Sequence, residues 1–167
     1  MRRAEVSLEG VRGPGVQLDW EIDPAKVRWP FEKPFENFRL LDPLSRIVAI
    51  AVEALGGDLD PDSAIVLATR QGCLWTDLRF EQSRHGDLRP GLFPYTLPSA
   101  PIAAVAIRHG LHGPSLCLVG EGAGLMGDGR AEAELLIESG EAPAVVLCTG
   151  DVVPPDTVGM TALYLTP

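Results

Sequence analysis

The sequence predicts an α/β layered domain, a mixed and mostly parallel sheet of about five strands with helices on both faces. Three observations carry that expectation. Short apolar runs at 64–69, 115–119 and 143–148 alternate with helical stretches, the pattern of crossover connections between neighbouring strands. The run Ala-Ile-Val-Leu-Ala-Thr at 64–69 is apolar throughout rather than alternating, as in a strand covered on both faces. The length, 167 residues with 46% hydrophobic and 22% charged, suits one ordinary globular domain over 1–167.

The elements follow in order. Residues 4–22 alternate at Val6, Leu8, Val16, Leu18, Trp20 and Ile22, and Gly10, Gly13, Pro14 and Gly15 interrupt them. That spacing predicts two strands around a turn. Pro24, Pro30 and Pro34 forbid a helix over 23–42, so Trp29, Phe31, Phe35 and Phe38 are expected to anchor an ordered loop. Asp42-Pro43 opens the first helix as N-cap and first helical residue. Leu44, Ile47, Val48, Ala51, Val52 and Leu55 keep the 3.6 period until Gly56-Gly57 stops it. A short helix through Trp75, Leu78, Phe80 and Gln82 ends near Gly86. Ser99 caps a helix over 100–109 that is apolar nearly all round and is expected to be deeply buried. The strand 115–119, a helix over 125–139, and strands at 143–148 and 161–166 complete the chain.

Composition excludes several roles. A net charge of -9 and a pI near 4.7 argue against nucleic acid and anionic membranes as partners. No apolar run approaches the roughly 18 residues of a membrane span. The N-terminus alternates and carries charge, unlike a signal peptide, so a cytoplasmic protein is expected. Cys73, Cys117 and Cys148 are odd in number and lack disulfide or ligand spacing; Cys117 and Cys148, inside apolar runs, read as small buried residues of two core strands.

Several motifs resolve to ordinary structure. Gly120-Glu121-Gly122-Ala123-Gly124 has the spacing GxGxG, not the dinucleotide GxGxxG. Its glycines are expected to allow a tight turn and close packing of the next helix. His109 and His112 bracket a helix C-terminus, where a protonated His favours the dipole. Ser115 follows Gly113-Pro114 but lies outside any GxSxG elbow. Asp58, Asp60 and Asp62 lack the glycine and glutamate of a calcium loop. No cofactor or metal is expected.

Certain stretches, taken together, do point to a family. They are Leu41-Asp42-Pro43-Leu44-Ser45-Arg46, Ile65 to Gly72, Thr76-Asp77-Leu78-Arg79-Phe80-Glu81, Leu92-Phe93-Pro94-Tyr95-Thr96-Leu97-Pro98-Ser99-Ala100 and His109-Gly110-Leu111-His112-Gly113-Pro114-Ser115-Leu116. This pattern resembles the N-terminal half of a β-ketoacyl synthase, of the thiolase-like superfamily. The resemblance is best over 40–155 and loose over 1–39. It implies a thiolase-like half fold and a nucleophilic Cys at the start of the helix after the Gly-Pro strand, where the dipole lowers its pKa.

That position falls at Gly122 counting forward from Gly113-Pro114, and at Ala123 counting back from Ser139-Gly140. Glu121 is adjacent. Neither count meets Cys, Ser or the Gln of chain-length-factor subunits, so no catalytic residue is expected. The resemblance also places the family's two catalytic His residues in a C-terminal half, beyond residue 167. On the helix 125–139, Met126, Gly129, Ala133, Leu136 and Ile137 form one stripe. Gly127, Arg130, Glu134, Glu138 and Glu141 line the other side, which is expected to be wet because unpaired buried charges are costly. The leading reading is a half-length, chain-length-factor-like accessory pseudoenzyme in fatty acid, polyketide or aryl-polyene-type synthesis. The alternatives are an acyl-thioester decarboxylase or hydrolase using Glu121, and a self-associating acyl-binding protein. The resemblance further implies a homodimer, or a heterodimer with a full-length ketosynthase, through Ser115, Leu116, Cys117, Leu118 and Val119, with acyl carrier protein as another partner.

Overall fold

The computed structural model describes residues 1–14, 16–19, 26–154 and 157–167; Gly15, Trp20, Ile22 and Pro24, which the sequence reading used, lie outside them. Helix α1 (Pro43–Glu53) begins where expected because the Asp42 carboxylate accepts from the Ser45 amide at 3.0 Å and Pro43 takes the first helical position. It stops at Gly56 and Gly57, both in the left-handed region (φ 63° and 65°). One side of the sheet receives α1 together with α3 (Ala100–His109). The other receives α4 (Leu125–Glu138), which packs on β4 (Ala64–Thr69) and β6 (Val145–Val153).

Every residue of β4 is buried, and its alternate side chains serve two cores. Ile65 and Leu67 join α1 and α3, while Ala64 and Val66 join Ala133 of α4. Helices on both faces are therefore observed, as expected. The sheet itself is larger: seven strands in the order β3 (Val16–Asp19), β2 (Gly10–Gly13), β1 (Arg2–Ser7), β7 (Thr157–Leu165), β6, β4 and β5 (Ser115–Val119). Only β4–β5 and β4–β6 are parallel; the other four neighbouring pairs are antiparallel. The estimate of about five, mostly parallel strands missed two things. The N-terminus makes three short strands, β1, β2 and β3, where two were expected. The C-terminal strand β7 pairs with β6 on one side and β1 on the other. Gly159 hid the start of β7, and Gly150 hid the second half of β6, because glycine weakens a strand pattern.

The aromatic cluster expected of this loop forms over its described residues, 26–42, which also hold a short 3₁₀ helix at Phe38–Leu40 that was not foreseen. Trp29 lies 5.0, 5.2 and 5.1 Å from Phe31, Phe35 and Phe38 between ring centroids. Helix α2 (Leu74–Arg84) runs into an unforeseen 3₁₀ segment, Pro90–Thr96. Helix α3 differs from expectation: Pro101, Ile102 and Val105 are buried, but Ala103 is exposed and Ile107 is 83% exposed. One side of this apolar helix faces away from the sheet, so its composition does not mean burial within this chain.

Helix α4 matches its predicted sides. Gly129 and Ala133 are buried, while Gly127, Arg130, Glu134 and Glu138 are exposed, and Arg130 pairs with Glu134 at 2.7 Å. Close helix-to-strand packing occurs at Gly129, where an added Cβ would lie 2.7 Å from the Ala68 Cβ. It does not occur at Gly120 or Gly122, whose surroundings are open. Gly113 makes the tightest motif contact, since a Cβ there would sit 2.5 Å from the carbonyl oxygens of Asp62 and Ser63. Gly113→Ala is expected to lower stability by about 2 kcal/mol, the order of an overpacked core site, read as a lower urea midpoint; an unchanged midpoint would refute the contact.

Candidate functional site

Strands β4, β5 and β6 run parallel and open at one edge of the sheet. Ligands of open α/β sheets bind at the carboxyl ends of such strands. A cleft of about 480 Å³ lies there, bounded by Arg70, Gln71, Glu121, Gly122, Asp151 and Thr157. Residues 120–124 form the turn from β5 into α4. Gly122 has φ 118°, a conformation that suits glycine. Glu121, Gly122 and Ala123 are all exposed, so both candidate positions for the family nucleophile sit at the mouth of this cleft or beside it.

The floor is built around Asp151, which the sequence reading did not single out. Its carboxylate is 4% exposed. Oδ1 accepts from the amides of Arg70 (2.7 Å) and Gln71 (2.9 Å) and from the Thr69 hydroxyl (3.0 Å), and Oδ2 accepts from Arg70 Nε at 2.9 Å. Thr69 Oγ1 in turn accepts from the Gly72 amide at 3.1 Å. Burial works to raise the Asp151 pKa, but the Gln71 amide, the Arg70 side chain, the Thr69 hydroxyl and the Arg70 amide outweigh it. The carboxyl is held below its ordinary value. A lone Asp after Gly in the apolar run Val145–Val153 was the available signal, since a buried charge needs partners.

The three thiols are held in the opposite state from a nucleophile. Burial raises Cys73 and Cys148 to about 12 and Cys117 to about 11, with Asp42 and Asp77 adding to Cys73. Cys73 donates to the Leu97 carbonyl and Cys117 to the Pro98 carbonyl. Cys148 is fully buried, as expected of a core cysteine; Cys117 is half-buried on the edge strand. At pH 8 the native protein should alkylate with iodoacetamide at least tenfold more slowly than unfolded chain, because thiolate fraction sets the rate. Mass spectrometry after an acyl thioester or a cerulenin-like electrophile should find no stoichiometric adduct over 117–130. An adduct on Cys117 would move the family register onto it.

His109 corrects the expectation of a charged helix end. Burial lowers its pKa; Glu53 opposes that, while Arg108 and Lys33 reinforce it, so the neutral imidazole faces the Glu53 carboxylate at 3.5 Å. His112 is exposed and donates its amide to the Pro61 carbonyl at 2.7 Å. Ser115 begins the edge strand. Asp60 accepts from the Asp62 amide at 2.9 Å within its loop. Among the described residues no cluster of three or more metal-ligating side chains occurs, and no helix is long and apolar enough to cross a membrane.

Solved structures share this architecture. The ketosynthase ApeO in complex with its chain length factor ApeC, from Xenorhabdus doucetiae, matches with a TM-score of 0.69 at 20% identity, covering 99% of this chain and 76% of that one. The ishigamide ketosynthase/chain length factor matches with a TM-score of 0.74 at 17% identity, covering 98% of this chain and 60% of that one. The fold is ketosynthase-like. A ketosynthase of the bacillaene polyketide synthase from Bacillus amyloliquefaciens is more distant, with a TM-score of 0.55 at 15% identity over 72% of this chain and 22% of that one. No family model and no curated protein matches the sequence. In this ketosynthase-like fold the cleft at the strand ends is lined, among the described residues, by Glu121 and the Arg70–Asp151 pair, with no Cys or His.

Proposed function

We propose that this ketosynthase-like chain is a non-catalytic, chain-length-factor-like accessory subunit that pairs with a ketosynthase in polyketide, aryl-polyene-type or fatty acid synthesis. The outer edge of β5 carries this reading. The Ile65 amide donates to the Pro114 carbonyl at 2.9 Å, and the parallel register pairs Ile65 with Ser115 through Thr69 with Val119. That alternation turns the peptide groups of Leu116 and Leu118 toward β4. Those of Ser115, Cys117 and Val119 point to the open edge.

No charge or proline interrupts the strand, so it is an unguarded template for another strand. Cys117 of this strand donates to the Pro98 carbonyl, which adjoins exposed apolar surface at Leu97. A two-fold or pseudo-two-fold partner strand would satisfy the edge and cover this apolar surface together. The protonated thiols and the cleft without Cys or His support the non-catalytic half of the reading. The partner's substrate would arrive on an acyl carrier protein.

Coexpression with a ketosynthase should yield a stable complex in which the amides of Ser115, Cys117 and Val119 become protected from hydrogen exchange. Leu118→Asp should weaken that complex at least thirtyfold, since it buries an unpaired carboxylate at the junction. A soluble chain at tens of micromolar that neither pairs with a ketosynthase nor responds to Leu118→Asp would refute the interface. Decarboxylation of malonyl carrier protein by the chain alone would refute the non-catalytic assignment.

A further inference from the structure

The aromatic loop carries a second concavity that shares no residue with the cleft at the strand ends. Trp29, Phe35 and Phe38 form the floor of a groove of about 410 Å³, a size in the range of small-molecule pockets. Several contacts brace this floor. The Trp29 Nε1 donates to the Lys33 carbonyl at 2.7 Å, and Trp29 meets Phe35 edge-on at 5.2 Å. Arg108, not itself a groove residue, stacks on Trp29 and Phe35 at 5.4 and 5.3 Å.

The rim has the opposite charge from the molecule. Lys26, Arg28, Arg39 and Arg46 line the groove, and no acidic residue does so among the described ones, although the chain holds 23 acids against 14 bases. Arg28 and Arg39 are exposed, and among the described residues neither guanidinium has a hydrogen-bond or ion-pair partner. Arg46 lies over Phe38 at 6.0 Å and donates to the Arg39 carbonyl at 2.7 Å, which ties the rim to the floor. Asn37, the one non-glycine residue at positive φ among those described, turns the chain at the groove's lip.

We propose that this groove binds a small amphipathic anion, with a phosphate or carboxylate head on Arg28 and Arg39 and an apolar body on Trp29, Phe35 and Phe38. Guanidinium groups are suited to planar, bidentate contact with either head, and the aromatic faces offer dry contact to a chain or ring. Apolar floor and cationic rim together select against neutral lipids and against bare inorganic ions.

Calorimetric titration of the whole chain with octyl phosphate, octanoate, octanol and inorganic phosphate tests this. The two octyl anions should bind at one site, and the tighter of them identifies the head group. Octanol and inorganic phosphate should each bind at least tenfold more weakly. Arg28→Glu and Arg39→Glu, both at exposed positions, should each weaken the octyl anions about tenfold, the size of a lost charge-assisted contact. Equal binding of octanol, equal binding of inorganic phosphate, or unchanged affinity in both variants would overturn the proposal. So would capture of an acidic helical peptide by the groove while the octyl anions fail to bind.

Discussion

Asp151→Ala is expected to destabilise the fold by about 3 kcal/mol, because it strands two backbone amides and a hydroxyl that now share one buried carboxylate. Arg70→Ala should cost less than about 1 kcal/mol, since that side chain is 55% exposed and its charge is screened. The ordering is the informative part: the socket serves the backbone turn 69–72 first and the surface arginine second. Urea unfolding of the two variants measures it, and equal losses would contradict it.

The same carboxylate sets a pH dependence. Its folded pKa lies below its ordinary value, so it contributes stability above the unfolded value of about 3.9. That contribution is lost as pH falls through the folded value. Asp151→Asn keeps one acceptor oxygen and cannot titrate. Its stability relative to the parent should therefore improve progressively below about pH 4. A constant difference between the two proteins from pH 7 to pH 3 would show that Asp151 is not a source of acid sensitivity.

Arg108→Ala is the second large expected loss, about 3 kcal/mol. Arg108 joins three parts of the molecule. It donates to both Glu53 oxygens on α1 (3.2 and 3.3 Å) and to the Pro34 and Lys33 carbonyls of the aromatic loop (2.6 and 3.2 Å). It also stacks on Trp29 and Phe35. The Arg108 and Glu53 side chains are 11% and 17% exposed, so removing the cation leaves a partly buried carboxylate facing neutral His109. Arg108→Lys should recover less than half of the loss, because an ammonium cannot make the planar fork or the stacking contact. The double variant Arg108→Ala, Glu53→Gln should be more stable than the sum of the single changes by at least about 1 kcal/mol. Strict additivity would mean that the pair is uncoupled.

Much of the element pattern was legible in the sequence because its signals are local. The Asp42-Pro43 start, the Gly56-Gly57 stop, the continuous apolar run of β4 and the charged side of α4 each lie within one or two turns of chain. The candidate site was legible only in part. Residues 121–123 could be placed in the β5-to-α4 turn by counting from flanking motifs. The socket they share a cleft with could not, because Asp151 meets Thr69, Arg70 and Gln71 across 80 to 82 residues of sequence.

By itself the sequence determined where most helices and core strands fall and in what order, since periodicity and capping act over a few residues. Tertiary structure alone decided where those segments went. It placed β1 next to β7 rather than leaving the N-terminus a separate hairpin, and it left one side of an apolar α3 uncovered. It also made His109 neutral by burial beside Arg108 and gave Asp151 four donors. The physical reason is common to all of these. Strand order, desolvation and buried charge pairing depend on contacts between residues far apart in the chain, and no local window of sequence contains both partners.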